Sequence, residues 1–440
     1  MQVILAGLCL LQVSFAFAHT SPAGRLKLEM VLGQPVMLAG EKQSAYLQVG
    51  LTGFKLPCSR GRAPVNIAIV IDESGSMSGD KIVKAKEAAI MAIRRLNSND
   101  IISVVTYDSK VNVLVPATRV SDKEMISSRI RSIEAGGSTA LYGGVKKGAC
   151  EMKKFLGCNR VNRLILLSDG LANVGPQSPA ELGRLGASLI KDGISVTTIG
   201  LGMNYNEDLM TQLAYESDGS HYFAENACDL ARVFDSEFGR ALSVVAQEVQ
   251  IKIRCAKGIR PVRLLGREGK INGQNVEVFI NQLYSEHKKF IILEVEVPAT
   301  AKCVSRKIAA VDVSYGNLKT HKTDKLSSRV RVRFSDSKKI VEEKTNCDVM
   351  ADVVELIATE RNELALESRD EGKVKEARRM LAENEEYLKA NSVRYKSPAL
   401  KDYAGQQIED RENMDEESWG KQRKIMREAQ FQRRRQQRSK

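Results

Sequence analysis

The segment Ile71-Asp72-Glu73-Ser74-Gly75-Ser76-Met77 puts a carboxylate and two hydroxyls within five residues, immediately after the apolar run Val65–Ile71. A parallel strand of an open α/β sheet delivers such a turn to its carboxyl end, where ligands of these sheets bind. The donors offered by Asp72, Ser74 and Ser76 are all oxygen, with no Cys or His among them. That set suits a hard divalent ion such as Mg²⁺, with Mn²⁺ or Ca²⁺ as alternatives, because a hard ion prefers about six oxygens and keeps several waters. Other chemistries lack their residues. Gly75-Ser76-Met77-Ser78-Gly79 does not register with the GxSxG turn of serine hydrolases, and the one His of the region, His221, falls on a late strand. No GxGxxG follows the first strand, and neither GxxxxGK[ST] nor HExxH occurs, so dinucleotide, nucleotide and zinc-protease chemistry are not expected. The expectation is a binding protein and not an enzyme.

The elements that must position these residues can be read from the hydrophobic period. From Val65 to about Val245, short apolar runs alternate with amphipathic stretches, the pattern of parallel strands joined by crossover helices. Strands are expected at Val65–Ile71, Ile101–Tyr107, Val111–Val115, Arg163–Ser168, Ile194–Gly200 and His221–Phe223, with helices at Lys81–Leu96, Asp122–Ile133, Ala140–Phe155, Pro179–Lys191, Glu207–Tyr215 and Asp229–Val244. The run Asn66–Ile71 is apolar on both faces, as a sheet covered on both sides requires. This is a doubly wound, mostly parallel α/β domain over 64–245.

On both sides of that domain the period changes to two, at 26–30 and 45–49 before it and at 249–254, 292–297 and 330–334 after it. Residues 19–63 are too few to bury a sheet alone, but joined to 246–336 they complete a β-sandwich, so the α/β domain is read as an insertion into a β domain. Over 348–390 one helical face carries Val374, Ala377, Leu381 and Leu388, and Asp370–Lys373 breaks the stretch into an antiparallel hairpin. Residues 392–440, acidic from Glu409 to Glu417 and then basic, hold few apolar residues and are expected to be disordered.

The chain at this point resembles the von Willebrand factor type A family, whose metal-ion-dependent adhesion site is built on Asp-x-Ser-x-Ser, a distant Thr and a distant Asp. The first element matches at Asp72, Ser74 and Ser76; the second matches at Gly136-Gly137-Ser138-Thr139 and the third at Ser168-Asp169-Gly170. The resemblance thus implies five metal ligands, Asp72, Ser74, Ser76, Thr139 and Asp169. It covers roughly residues 64–245. Segments such as Ser168–Gly175 and Gly200–Met210 look like the secreted bacterial members that carry flanking β segments and a C-terminal helical pair, while the likeness to inter-alpha-trypsin-inhibitor heavy chains is looser. The implied function is adhesion: three hydroxyls add no charge, so the ion stays electrophilic and takes a carboxylate from a protein partner. Glu73 departs from the pattern, as a third carboxylate that either weakens the site's preference for anions or points into solvent.

At 440 residues the chain exceeds one compact core at about 100–200 residues per domain, and 43% hydrophobic with 28% charged residues is an ordinary globular balance. Of the net charge of +13, residues 421–440 supply +8. This basic tail has one aromatic, Phe431, and no expected fold around it, which argues against nucleic acid and leaves an anionic glycan, matrix or lipid surface as its alternative partner. Residues 1–18 read as an export signal, an apolar run from Val3 to Phe17 ending at Ala16-Phe17-Ala18. The expected location is therefore secreted or extracytoplasmic, periplasm or cell surface in a bacterium, and no other run is long enough to span a membrane. Export permits disulfides among the seven cysteines that survive cleavage; Cys150 and Cys158 are the closest pair, and none forms a zinc motif.

Overall fold

A computed structural model describes residues 24–56, 62–157 and 159–439. The expected export signal, Cys58 and Cys158 lie outside the described residues. The α/β domain is built on a six-stranded sheet in the order Val111–Arg119, Ile101–Tyr107, Val65–Asp72, Val161–Ser168, Ile194–Leu201, Ser220–Ala224. All its pairs are parallel except the first, which is antiparallel. Alternation along the central strand sends Val65, Ile67, Ile69 and Ile71 into one core, with Ile82 and Ile93 of the Asp80–Arg94 helix and Phe234 and Phe238 of the Asp229–Ala241 helix. Ala68 and Val70 enter the other, with Leu141, Leu182 and Leu209 from the helices on the opposite face. Burial on both faces is what makes the strand apolar throughout and brings Asp72 to its carboxyl end.

The chain enters this domain after the strand Gln43–Thr52 and leaves it, two residues beyond the Asp229–Ala241 helix, into Val244–Cys255. Gln43–Thr52 pairs antiparallel with His287–Val297 in one sheet, and Val36–Leu38 joins Lys322–Ser335 in the other. The two sheets pack as a sandwich around Leu47, Val49, Ile251, Ile253, Ile291, Leu293, Val311 and Val313. The α/β domain is thus an insertion, and strands on either side of it in sequence close the same sandwich.

The helical hairpin consists of Cys347–Asp370 and Val374–Arg394, with Ala377, Leu381 and Leu388 buried. The expected disorder of 392–440 is not what the structure shows. Pro398–Glu412 and Glu416–Arg434 are helices, and Gln437–Ser439 is a strand on His287–Lys289. Two facts order this segment. Its sparse apolar residues, among them Leu400, Tyr403, Met426 and Phe431, are spaced to lie inward and are buried, and its charges meet opposite charges elsewhere, Arg423 with Asp370, Arg434 with Glu363 and Arg438 with Glu355. Two local signals stood in the sequence: Ser397 caps a helix opened by Pro398, and Asp415 caps the next. Cys150, Cys228, Cys255, Cys303 and Cys347 are free thiols, so the described residues hold no disulfide. None of the described helices is long and apolar enough to cross a membrane.

Buried carboxylates give the fold a distinctive pH profile. Asp410, 1% exposed, accepts hydrogen bonds from Asn362 and Gln422 at 3.0 and 2.7 Å. Burial pushes its carboxyl up to about 6, against the pull of those bonds and of Arg433. Burial would raise Asp218 as well, but Lys289 and Arg267 hold it down at about 2. With an unfolded value of about 4, native Asp410 binds the extra proton between roughly pH 4 and 6, so its effect is to raise stability as pH falls through that window. Asp218 works the other way, and its contribution is lost below about pH 4. Fully buried His221 acts against Asp410 in this window, because burial holds its imidazole down at about 3 and stability is lost as pH falls below about 6.5. The Asp410 effect is therefore read against Asp410→Asn: from pH 7 to about 5 the wild type should gain thermal stability relative to that variant, and a constant difference between the two would contradict the assignment.

Candidate metal centre

The three segments singled out in the sequence meet at the carboxyl edge of the sheet. Asp72 is fully buried; its Oδ1 accepts from the Ser74 backbone N–H at 2.9 Å and its Oδ2 from the Ser168 hydroxyl at 2.7 Å. Burial raises the Asp72 carboxyl, the bonds from Ser74 and Ser168 oppose that, and the neighbouring Asp169 charge adds to the rise. Ser74 Oγ and Ser76 Oγ are 3.1 Å apart, and Ser76 Oγ donates to Asp169 Oδ1 at 2.6 Å. Thr139 is placed by its backbone: its N–H donates to Asn173 Oδ1 at 2.7 Å, and its carbonyl accepts from the Asn173 and Val174 N–H groups. The turn before it is locked to the first segment by Gly136 N–H to the Glu73 carbonyl, 2.7 Å, and Gly75 N–H to the Gly137 carbonyl, 3.1 Å. Gly137 has φ +78°, and a Cβ there would stand 2.6 Å from Asp108 Oδ2, so glycine is required on both counts.

Two observations bear on whether these residues suit a cation. A Cβ added at Gly170 would lie 3.2 Å from Ser76 Oγ and 3.3 Å from Thr139 Oγ1, so the two hydroxyls face one small space that a side chain would fill. A positive charge is also already drawn there, since the Lys81 ammonium lies 2.5 Å from Asp169 Oδ2 and 3.3 Å from the Ser76 carbonyl. Two carboxylates and three hydroxyls fit a hard divalent ion; Asp72, Ser74, Ser76, Thr139 and Asp169 are the residues that would hold it, and it would supply a Lewis-acidic point for an oxygen ligand. The described residues hold no cluster of three or more His, Cys, Asp or Glu for a metal, and the hydroxyl share of this set accounts for that.

The crevice above these groups is lined by Ser74, Ser76, Thr139 and Asn173 and rimmed by Leu171 and Met203, which are 60% and 42% exposed. Glu73 is not among its lining residues: its carboxylate accepts from Asn112 at 3.4 Å, on the edge strand Val111–Arg119. His221 is a fully buried core residue, its Nδ1 2.9 Å from Thr198 Oγ1. Sequence reading missed Lys81, Asn173 and Ser168, because each acts on a partner brought near only by folding; Lys81 and Asp169 are 88 residues apart. Gly170→Ala should weaken Mg²⁺ binding about tenfold while the thermal midpoint moves by no more than about 3 °C, since the intruding methyl presses on hydroxyls and not on the core. Unchanged affinity in a calorimetric titration would remove Ser76 and Thr139 from the site.

Residues 66–235 match the von Willebrand factor type A domain family. An uncharacterized protein of Synechocystis is 26% identical over 279 residues, 61% of this chain and 66% of that protein. The E3 ubiquitin-protein ligase WAV3 of Arabidopsis thaliana is 27% identical over 266 residues, 57% of this chain and 33% of the ligase. Human inter-alpha-trypsin inhibitor heavy chain H3 is 28% identical over 165 residues, 36% of this chain and 18% of the heavy chain. The chain therefore spans less than two thirds of each of these relatives, and far less of the last two. Among solved structures, the von Willebrand factor type A protein from Catenulispora acidiphila superposes with a TM-score of 0.71 at 17% identity, over 87% of this chain and 90% of that one. The ArnB paralog VWA2 from Sulfolobus acidocaldarius gives 0.64 at 17% identity, over 93% and 98%. These likenesses show a shared fold that reaches well beyond the α/β domain. Type A domains commonly mediate protein–protein interaction, are mostly non-enzymatic and often bind a divalent metal. Residues 66–235 are a von Willebrand factor type A domain, set in this chain between the strands of a β-sandwich and followed by helices.

Proposed function

We propose that this is an exported binding protein that takes up an acidic side chain of a partner protein at a divalent ion, Mg²⁺ or in its place Mn²⁺ or Ca²⁺, held by Asp72, Ser74, Ser76, Thr139 and Asp169. The observation that carries the reading is the Ser74–Ser76–Asp169 chain of oxygens opening on a crevice with apolar rims. Neutral hydroxyls leave a bound cation with unspent charge for a carboxylate, and exposed Leu171 and Met203 give a protein surface something to cover. No catalytic role is proposed. Among the described residues no His lines the crevice, so Ser74 and Ser76 have no imidazole base.

The alternative of a scaffold held to anionic glycan or lipid by a free basic tail is not favoured. Most of the tail's cations are already paired within the molecule, including Arg423, Lys424, Arg427 and Arg438. The test is a pull-down from the native extracellular fraction with Mg²⁺, with EDTA, and with about 0.5 M salt, which screens exposed charge within about 4–5 Å. Partners should be retained with Mg²⁺ at either ionic strength and released by EDTA. Retention that ignores EDTA and fades with salt would reverse the reading.

A further inference from the structure

The middle of the basic helix Glu416–Arg434 packs against the loop that walls the crevice. Met203, Asn204 and Tyr205 line the crevice from one side. Behind them Lys424, 4% exposed, donates to the Tyr205 carbonyl at 2.8 Å and to Glu207 Oε2 at 2.5 Å, and its ammonium stands 4.1 Å from the Tyr205 ring centroid. The ring also packs closely on Gly200, where an added Cβ would stand 2.1 Å from Tyr205 Cζ. Arg423 binds Glu207 and Asp208 and reaches Asp370, at the end of the hairpin's first helix, at 2.8 Å, while Arg427 pairs with Asp208 at 2.8 Å. Three cations thus meet three carboxylates from the loop's helix and the hairpin. The same segment then runs into the sandwich: Phe290 N–H donates to the Gln436 carbonyl at 3.0 Å, and Gln437–Ser439 pairs with His287–Lys289.

We propose that residues 416–439 are a tie from the sandwich and the hairpin to the crevice, and that Lys424 and Arg423 are positioning residues that hold loop 202–206 in place as one wall of the binding site. The idea rests on the reading of this crevice as the ligand site, though the tie itself can be tested without any ligand. A loop of this kind otherwise has few restraints and opens locally at low cost. The Lys424–Glu207 pair supplies the restraint because both groups are buried, and removing either leaves the other charge uncompensated. The tie reaches the crevice wall from the sandwich without passing through the chain connection of the inserted domain, where the Asp229–Ala241 helix runs into the strand Val244–Cys255.

The experiment is hydrogen exchange on the full chain without metal, comparing wild type with Lys424→Met, Lys424→Arg, Glu207→Gln and Arg433→Ala. Arg433 sits on the same helix but faces Gln406 and the Tyr403 ring, away from the loop, so it reports helix weakening alone. Protection of 202–208 should fall about tenfold in Lys424→Met and Glu207→Gln, a change of about 1.4 kcal/mol in local opening, and be restored in part by Lys424→Arg and unaffected by Arg433→Ala. Should Lys424→Met fail to fold, Glu207→Gln, which keeps the side-chain shape, carries the test. Unchanged protection of 202–208 in the folded variants, or equal loss in Arg433→Ala, would overturn the tie. A parallel Mg²⁺ titration of wild type separates the two ideas: absence of Mg²⁺ binding would count against the metal reading alone, whereas loop exchange judges the tie.

Discussion

Replacing Asp72 by alanine should abolish Mg²⁺ binding and leave the fold standing. The carboxylate sits at the end of the central strand, buried, with Oδ1 on the Ser74 N–H and Oδ2 on the Ser168 hydroxyl. Its removal takes away one of the two negative charges that a cation at this edge would meet, and loss of even an outer partner of a metal ligand costs about 10–100-fold in affinity. Loss of Asp72 itself should cost at least about a hundredfold. The stability change is small because two effects oppose. Two hydrogen bonds worth about 1 kcal/mol each are lost, but a desolvated carboxylate that repels Asp169 goes with them. Calorimetric titration with Mg²⁺, alongside thermal melting without metal, is the check. Equal affinity in mutant and wild type would refute the assignment of this residue as a ligand, and a melting point lowered by more than about 8 °C would show that its role is to hold the edge of the sheet.

A larger stability effect is expected at Arg163, which lies entirely inside the protein, between the α/β sheet and the sandwich. Its guanidinium donates to Gln282 Oε1 at 2.5 Å, to the Tyr284 hydroxyl at 2.8 Å and to Thr197 Oγ1 at 3.2 Å, and pairs with Glu237 at 3.5 Å. Gln282 and Tyr284 belong to the sandwich strand Asn275–Tyr284, so one side chain joins the two bodies. Burial would raise the Glu237 carboxyl, but Arg163 and Arg240 hold it down at about 2. Arg163→Met leaves that carboxylate with Arg240 as its remaining close cation and strips partners from Gln282 and Tyr284, so unfolding in urea should be easier by about 3–5 kcal/mol. The double variant Arg163→Met/Glu237→Gln should recover part of the loss, because removing both charges costs less than stranding one. A single-variant loss below about 1 kcal/mol, or no recovery in the double variant, would mean that the buried pair does not join the domains.

Much of the site follows from local pattern alone. An apolar run on both faces at 65–71 demands a covered parallel strand, and the chain direction then puts Asp72, Ser74 and Ser76 at the carboxyl edge of the sheet, where open α/β sheets in general bind ligands. The same logic takes Asp169 to the end of Val161–Ser168, one strand over, and the glycines at 136 and 137 mark the turn that presents Thr139. The insertion of the α/β domain was likewise legible, because a change of period from helical to two can be seen in any window of a dozen residues. Pairings across the fold decided the rest. Arg163 reads in sequence as a charged residue in a strand, and only the approach of Glu237, Gln282 and Tyr284 makes its burial tolerable. The stretch 392–440 has the composition of a disordered tail, yet it folds because Glu207, Asp208, Glu363 and Asp370 stand where its cations arrive. Hydrophobic periodicity is set by neighbours along the chain and survives in the sequence, whereas the cost of desolvating a charge depends on partners as far off as the 217 residues between Lys424 and Glu207, which only the tertiary structure brings together.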